Sequence, residues 1–494
     1  MPLDILFIEP RSYVLNGYLH AQDFMPSLGL MHLLSYIKKD LPGMKVRVLD
    51  PVFDVFEPQE LGEVMNRAVS AGGSHSHEEL AFLGLSTYFV EQHEAVMRRL
   101  GEEIERSEAR FVAIPFNLTS RYAASVRLAR MVKSHLPDTV IIVGGNHASC
   151  AGADLLHEVP EIDVLVRGEG ELALAELLTI PESESMTSAL ASIRGIIYRD
   201  GDEARVSEVR PEVKDLDLYP NPYLASDEFR LDERFAFMKR VGFLFSFDDS
   251  IFVRQILTSR GCPFGCEFCT NELLTERRVR FHSVDYVRDV ALYLKQRWLS
   301  QFPAPLVNVT DAIFAVNRAR TSALNDALRD LGLHYQCQTH TSCLDDERLS
   351  ALKEMGMKSI SFGIESFSPA GRRTSRKELD PRALRHLVDT LHQRRIRAVA
   401  TFIVGLPGDG VNEVIANAYH AVESGVDEAI FFPLVAVPGS RLYSRFLEEV
   451  PSEERERVGN KENREYYYTA HFNAQQLDYL AQLSNGIFAC RHSR

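Results

Sequence analysis

The first 180 positions alternate between short apolar runs and longer stretches in which apolar residues recur every three or four positions. LDILFI (3–8) is strand-like and stops at Pro10, PSLGLMHLLSYIKKDL (26–41) has helical spacing, and KVRVLD (45–50) is strand-like again. LAFLGLST (80–87), FVAIPFN (111–117), TVIIVGG (139–145) and IDVLVRGEGE (162–171) continue the series, separated by helical stretches such as RYAASVRLARMVKSHL (121–136). Unbroken apolar runs suit strands buried on both faces of a parallel sheet. The alternation predicts an α/β, doubly wound (Rossmann-like) domain over residues 1–180, with any ligand at the carboxyl ends of the strands.

Between 181 and 250 the pattern weakens. TIPESESMTS is polar, GIIYRDGDEARVSEV reads as a strand pair, and DLDLYPNPYLAS is punctuated by proline, so a linker with a small hairpin is expected. From 251 to 445 the alternation resumes with FVRQILTSRG, LVNVTD, HYQCQT, SISFGIES, AVATFIVGLPG and EAIFFPLVAVPG. Six strands, each followed by a helix, fall short of the eight that close a (β/α)8 barrel, which predicts an open, partial (β/α)6 barrel. Residues 446–494 are charged and helical in pattern, a C-terminal cap.

Composition adds limits. A chain of 494 residues is too long for one ordinary core, and its 45% apolar and 25% charged residues are those of a folded globular protein. The net charge of −14, without a Lys/Arg-rich run, argues against nucleic acid as principal partner and favours a small molecule or peptide. The N-terminus lacks the order of a signal peptide and the longest apolar runs are about half a membrane span, so a soluble, cytoplasmic protein without a membrane span is expected. Seven cysteines, an odd number, then point to reduced thiols rather than a disulfide framework.

Three of those cysteines, Cys262, Cys266 and Cys269, fall in RGCPFGCEFC with the spacing C-x3-C-x2-C, directly after a strand. A tetrahedral zinc site takes four ligands, usually from two pairs, and no second pair lies nearby. A four-iron cluster held by three thiolates keeps one iron open to an exogenous ligand. A chance grouping of buried cysteines, or zinc completed by a distant Cys or His, remains the competing reading.

RGCPFGCEFC, including Phe268 before the last cysteine, resembles the signature of radical S-adenosylmethionine (SAM) enzymes. The resemblance implies that the three cysteines hold a [4Fe–4S] cluster, that SAM chelates the open iron, and that reduction of the cluster yields a 5′-deoxyadenosyl radical. It extends to SISFGIESFS (359–368), where it places Glu365 and Ser366 near the SAM ribose or the substrate. It also covers FIVGLPGD (402–409), with Gly405 and Gly408 near adenine, and VPGSRLY (437–443). VNVTDAIFAVN departs from the family pattern: Asp311 and Phe314 align, but Ala312 replaces a second acid. Glu365 and Asp311 are the catalytic candidates.

PSLGLMHLLSYI, VGGNHASCAG (143–152) and DVLVRGEGELALAELL (163–178) resemble the cobalamin-binding domain that precedes the radical SAM domain in one large subclass. The resemblance puts cobalamin against Gly144, Gly145 and His147 after one strand and Gly168, Glu169 and Gly170 after the next. Ser86, Thr87, Asn117 and Thr119 follow the two preceding strands. No D-x-H-x-x-G motif occurs in 1–180, so the resemblance implies a cobalt without a protein histidine on its lower face, with His147 hydrogen-bonding or packing instead.

The subclass implies three cofactors, the [4Fe–4S] cluster, SAM and cobalamin, and an external electron donor of flavodoxin or ferredoxin type. The activity it implies is methyl transfer from methylcobalamin to an unactivated carbon, or phosphorus, of a small metabolite or natural-product intermediate, after hydrogen abstraction by the radical. The alternatives are a non-methylating radical reaction, such as cyclisation, rearrangement or transfer of another SAM-derived group, and a non-catalytic cobalamin or redox sensor. His75 and His77 read as a solvated loop, Cys337 and Cys343 as buried thiols near a strand end, and Tyr466, Tyr467 and Tyr468 as a helix face or pocket wall.

Overall fold

The computed structural model describes residues 2–11, 26–55, 58–70, 87–88, 90–117, 121–240, 255–302, 305–449 and 472–490. The strand expected at 80–87 lies almost wholly outside them, as do Ser86, Thr119, His75, His77 and the three tyrosines. The chain divides into two compact units, Met1–Val253 and Arg254–Arg494.

The first unit is built on β1 (Ile5–Ile8), β2 (Val46–Leu49), β3 (Phe111–Pro115), β4 (Val140–Gly144), β5 (Val164–Val166), β6 (Ile196–Asp200) and β7 (Glu203–Val206). Their order is β2-β1-β3-β4-β5-β6-β7, parallel from β2 to β5 and antiparallel beyond. All four residues of β1 are 0% exposed, which is why its sequence is apolar without alternation. The helix Leu28–Asp40 packs on Glu171–Leu178, and His93–Ser107 packs on Tyr122–His135. The chain goes from β1 to β2 on one side and then returns to β3 on the other. The switch point between β1 and β3 opens a crevice at the carboxyl ends of the strands.

The segment expected as a linker is, as far as it is described, part of this unit. β6 and β7 extend the sheet because Ile196 and Ile197 are apolar and buried, and pairing with β5 satisfies their backbone. Arg234, in the helix Leu231–Arg240, reaches back to the end of β2, where its guanidinium lies 2.6 Å from Asp50. Asp50 also pairs with Arg11, just after β1, and Glu9 accepts from the Ser27 amide at 2.9 Å, so a buried group of two acids and two arginines fixes this corner.

In the second unit, β8 (Gln255–Ile256), β11 (Leu306–Val309), β12 (His334–Thr339), β13 (Met357–Glu365), β14 (Arg397–Val404) and β15 (Glu428–Pro433) form a six-stranded parallel sheet in chain order. Between β8 and β11 a separate antiparallel pair, β9 (Ser259–Gly261) and β10 (Val279–Phe281), closes the base of the cysteine loop. Among the described residues the edges of the six-stranded sheet do not pair with each other, as a partial barrel requires. The helix Ala474–Ala489 packs on β15 and on the helix Val411–Ser424. Its Asn485 side chain accepts from the amide of Phe431 at 3.0 Å and donates to the same residue's carbonyl at 3.1 Å, as a neighbouring strand would. Among the described residues no helix is long and apolar enough to cross a membrane.

Candidate functional site

The cysteine loop is fixed by backbone bonds to segments that follow other strands. Glu267 donates its amide to the Thr374 carbonyl at 3.1 Å, and its own carbonyl accepts from Leu442 at 3.0 Å. Phe268 packs against Leu406, Leu434 and Leu442, the apolar residues after β14 and β15. Cys262, Cys266 and Cys269 are free and half-buried, and the Cys269 amide closes a tight turn onto the Cys266 carbonyl at 3.1 Å. Burial pushes the Cys266 thiol up to about 11 and raises that of Cys262, each thiolate repelling the others while the Lys377 ammonium partly offsets them.

Cys262 and Cys266, whose burial resists ionisation, fit a strongly cationic group, because bound metal deprotonates a coordinating thiol outright. Among the described residues no three His, Cys, Asp or Glu side chains converge on a point that would hold a single ion. A zinc ion needs such convergence, whereas a cluster gives each thiolate its own iron.

Glu365 ends β13 with a φ of 67° at a bulge, a conformation a β-branched or bulky residue avoids. Its carboxylate folds back over Gly363, where any Cβ would collide with it, and is held by Lys377 Nζ at 2.7 Å. Lys377 also donates to the Gly363 carbonyl at 2.8 Å. Ser366 accepts from Asn417 Nδ2 at 3.0 Å and from the Ser368 amide at 3.1 Å, and Asn417 Oδ1 takes the Phe367 amide at 2.9 Å. Gly405 and Gly408 have φ of 90° and 89°, and Ser368 donates its hydroxyl to Asp409 beside them, so the motifs after β13 and β14 form one cluster.

Asp311 takes a different position from that of a substrate-facing acid. It is 3% exposed and accepts from the amides of Thr258 at 2.6 Å and Ser259 at 3.1 Å and from both hydroxyls at 2.6 Å. Four donors occupy its carboxylate, so it ties the end of β11 to the start of β9, next to the cysteine loop. The same bonds interrupt FVRQILTSRG, expected as one strand, into β8 and β9. Burial pushes the Asp311 pKa up, against the pull of those donors.

At the end of β12, His340 stacks on Phe264 of the cysteine loop with centroids 4.0 Å apart and planes 16° from parallel. Burial, aided by the nearby Lys377 charge, lowers its pKa to about 4. Cys337 and Cys343 are buried thiols. Lys377, Asn417 and His340 carried no signal in the sequence: their partners lie on other elements, and only the fold brings them together.

In the first unit the expected glycines gather at the ends of β4 and β5. Gly145 has a φ of 104°, and a Cβ there would strike the Asn117 side chain, which comes from the end of β3. The Phe116 amide donates to the Gly144 carbonyl at 2.7 Å, and the Gly168 amide donates to Ser149 Oγ at 2.9 Å. A Cβ at Gly168 would meet nothing within 4 Å, so this loop borders open space. Glu169 accepts from the Tyr219 hydroxyl at 3.1 Å, and Gly170 precedes the helix Glu171–Leu178, next to Leu33. His147 is buried, its ring 5.1 Å from that of Tyr122, and burial lowers its pKa to about 4. Thr87 is exposed. Asn117, Gly144, Gly145, Gly168 and Gly170 thus form a backbone-lined edge that fits a large ligand approaching the strand ends.

The family model described as the radical SAM superfamily matches residues 256–418, and that described as the B12 binding domain matches 80–178. The chain is 27% identical over 342 residues to an uncharacterized methyltransferase of Pyrococcus horikoshii, covering 69% of this chain and 70% of that protein. It is 24% identical to the anaerobic magnesium-protoporphyrin IX monomethyl ester cyclase of Cereibacter sphaeroides, covering 65% of this chain and 50% of the cyclase. The structure of the radical SAM methyltransferase TsrM from Kitasatospora setae, with cobalamin and a [4Fe–4S] cluster, superposes with a TM-score of 0.62 at 16% identity, covering 91% of this chain and 78% of TsrM. Across the curated relatives the matched part ranges from 26% to 70% of their length. The fold, the cysteine loop and both domain matches define a radical SAM enzyme. The chain belongs to the radical SAM enzymes that carry a cobalamin-binding domain.

Proposed function

We propose that the chain transfers a SAM-derived methyl group to an unactivated carbon, or phosphorus, of a small metabolite or natural-product intermediate. The observation that carries this reading is the presence, in one chain, of a B12-binding match and a radical SAM match, each with its motif residues at the carboxyl ends of strands. Bound, the cluster with SAM supplies a carbon radical that abstracts hydrogen, and cobalamin supplies a transferable methyl group.

In this reading Cys262, Cys266 and Cys269 hold the cluster, with Phe268 anchoring their loop in the apolar residues after β14 and β15. Glu365, kept in place by Lys377, and Ser366, kept in place by Asn417, present polar atoms to SAM, while Gly405 and Gly408 let adenine lie against backbone. Asp311 acts as a positioning residue for the cysteine loop. Asn117, Gly144, Gly145, Gly168, Glu169 and Gly170, with Thr87 and the expected Ser86 and Thr119, would hold the cobalamin, and His147 would pack among them as a neutral ring. The domain limits follow: cobalamin binding over 1–180, the radical SAM barrel over 251–445 and a helical cap over 446–494. An external flavodoxin- or ferredoxin-type protein reduces the cluster.

The similarity to the cyclase supports a second reading, a non-methylating radical reaction. Anaerobic protein reconstituted with iron, sulfide and cobalamin, given SAM labelled in its methyl group, separates the two. Methyl transfer produces both 5′-deoxyadenosine and S-adenosylhomocysteine; an active reaction without S-adenosylhomocysteine sinks the methyltransferase reading. The triple Cys262, Cys266 and Cys269 to Ala variant should hold no iron and release no 5′-deoxyadenosine.

A further inference from the structure

The His340 ring has one nitrogen accounted for and one left over. Nδ1 accepts from the Ser342 amide at 3.1 Å and lies 2.7 Å from the Ser342 hydroxyl, within the short turn Thr341–Cys343. A nitrogen that accepts from an amide carries no proton, so the neutral ring bears its proton on Nε2. Nε2 is buried and has no hydrogen-bond partner. Buried N–H groups in folded proteins are nearly always paired, and an orphan of this kind marks where an acceptor belongs.

Two observations say which acceptor. The face of the ring lies on Phe264, the residue two positions after Cys262 and two before Cys266. Lys377, paired with Glu365, is near enough for its charge to act on the imidazole. The donor therefore belongs to a ring stacked on the cysteine loop, and the Nε2 atom itself is out of contact with solvent. A donor shielded in this way suits a resident group better than a passing one, and the resident group of this loop is rich in sulfur acceptors.

We propose that His340 donates its Nε2–H to a sulfur of the iron–sulfur cluster held by Cys262, Cys266 and Cys269, and thereby raises the cluster's tendency to accept an electron. This rests on the radical SAM reading of the loop and is independent of which reaction the radical serves. Hydrogen bonds to cluster sulfurs stabilise the more negative, reduced state, and they are among the features that set the potential of such clusters. His340 is a positioning and tuning residue in this account; it takes no part in bond making.

The test uses full-length protein reconstituted anaerobically with iron and sulfide, without SAM, as wild type, His340→Phe and His340→Gln. Phenylalanine keeps a ring on Phe264 and removes the donor, while glutamine keeps an N–H. The readout is an EPR-monitored redox titration alongside the iron count. At the potential where the wild type is half reduced, the ratio of reduced to oxidised cluster in His340→Phe should fall about tenfold, about 59 mV for a one-electron couple, with His340→Gln close to the wild type. An unchanged midpoint in iron-replete His340→Phe overturns the proposal, including when SAM affinity alone declines. Should that variant hold no cluster, wild-type protein carrying 15N-histidine decides: a hyperfine coupling from imidazole nitrogen to the reduced cluster supports the bond, and its absence overturns it. A wild type that takes up no iron refutes the radical SAM reading along with this inference, whereas one that cleaves SAM while His340→Phe keeps its midpoint refutes the inference alone.

Discussion

Lys377 Nζ lies 2.7 Å from Glu365 Oε1 and 2.8 Å from the Gly363 carbonyl, so one ammonium holds both the side chain and the backbone of the bulged end of β13. Both side chains are largely buried, at 10% and 9% exposure. Removing one partner leaves an uncompensated buried charge, a loss of about 3–5 kcal/mol. Lys377→Met should therefore melt roughly 6–12 °C below the wild type. Glu365→Gln with Lys377→Met should recover most of that in a thermal melt while SAM cleavage stays absent. Equal melting of the single and double variants would show that the two groups are not coupled.

Asp311→Ala removes an acceptor from four donors that have no access to water. Leaving them unpaired costs on the order of 3 kcal/mol or more, and it frees the strand that leads into the cysteine loop. Iron bound per chain after reconstitution should fall at least fivefold, and Asp311→Asn, which keeps one oxygen, should fall less. If Asp311→Ala holds a full cluster but loses turnover, the carboxylate acts on substrate instead.

Gly145→Ala combines a left-handed backbone with a collision against Asn117. The strain is on the order of 1–2 kcal/mol before any displacement of Asn117. Cobalamin retained after gel filtration, read from its visible absorbance, should drop at least tenfold, while the cluster's absorbance and SAM cleavage persist. Loss of both together would mean that the substitution unfolds the chain.

His147 carries a pH dependence of definite sign. Burial disfavours the cation and lowers its pKa from the ordinary 6.5 to about 4 in the folded protein. Below pH 6.5 the unfolded chain binds a proton that the folded chain refuses, so stability is fully present above that pH and falls as the pH drops toward 4. The full loss is about 3 kcal/mol from the 1.36 kcal/mol of each pH unit. His147→Phe should flatten that limb in denaturant titrations at pH 6.5, 5.5 and 4.5; an unchanged slope would place the acid sensitivity elsewhere.

Much of this was legible in the chain itself, for a physical reason. Parallel strands buried on both faces must be apolar throughout, so β1, β3 and β4 appear in the sequence almost at their observed limits. The cysteines and the glycines after β4, β5 and β14 are legible because each is a residue type that few others can replace at that place. What stayed hidden depends on partners far along the chain. The role of Asp311 is set by Thr258 and Ser259 on another strand, and that of Glu365 by a lysine beyond the next turn. The segment 181–250 looked like a linker because its turn-rich composition masks two isoleucines that face a core.

Asn485 gives the open sheet a further property. It is bonded to Phe431 in the place where a seventh strand would otherwise dock, so a side chain near the end of the described chain blunts the last edge. During synthesis β15 emerges well before that side chain does, and until residue 485 leaves the ribosome the newly formed sheet has a ladder ready to accept a foreign strand. Stalling ribosomes between 434 and 485 should therefore raise the share of chains that aggregate.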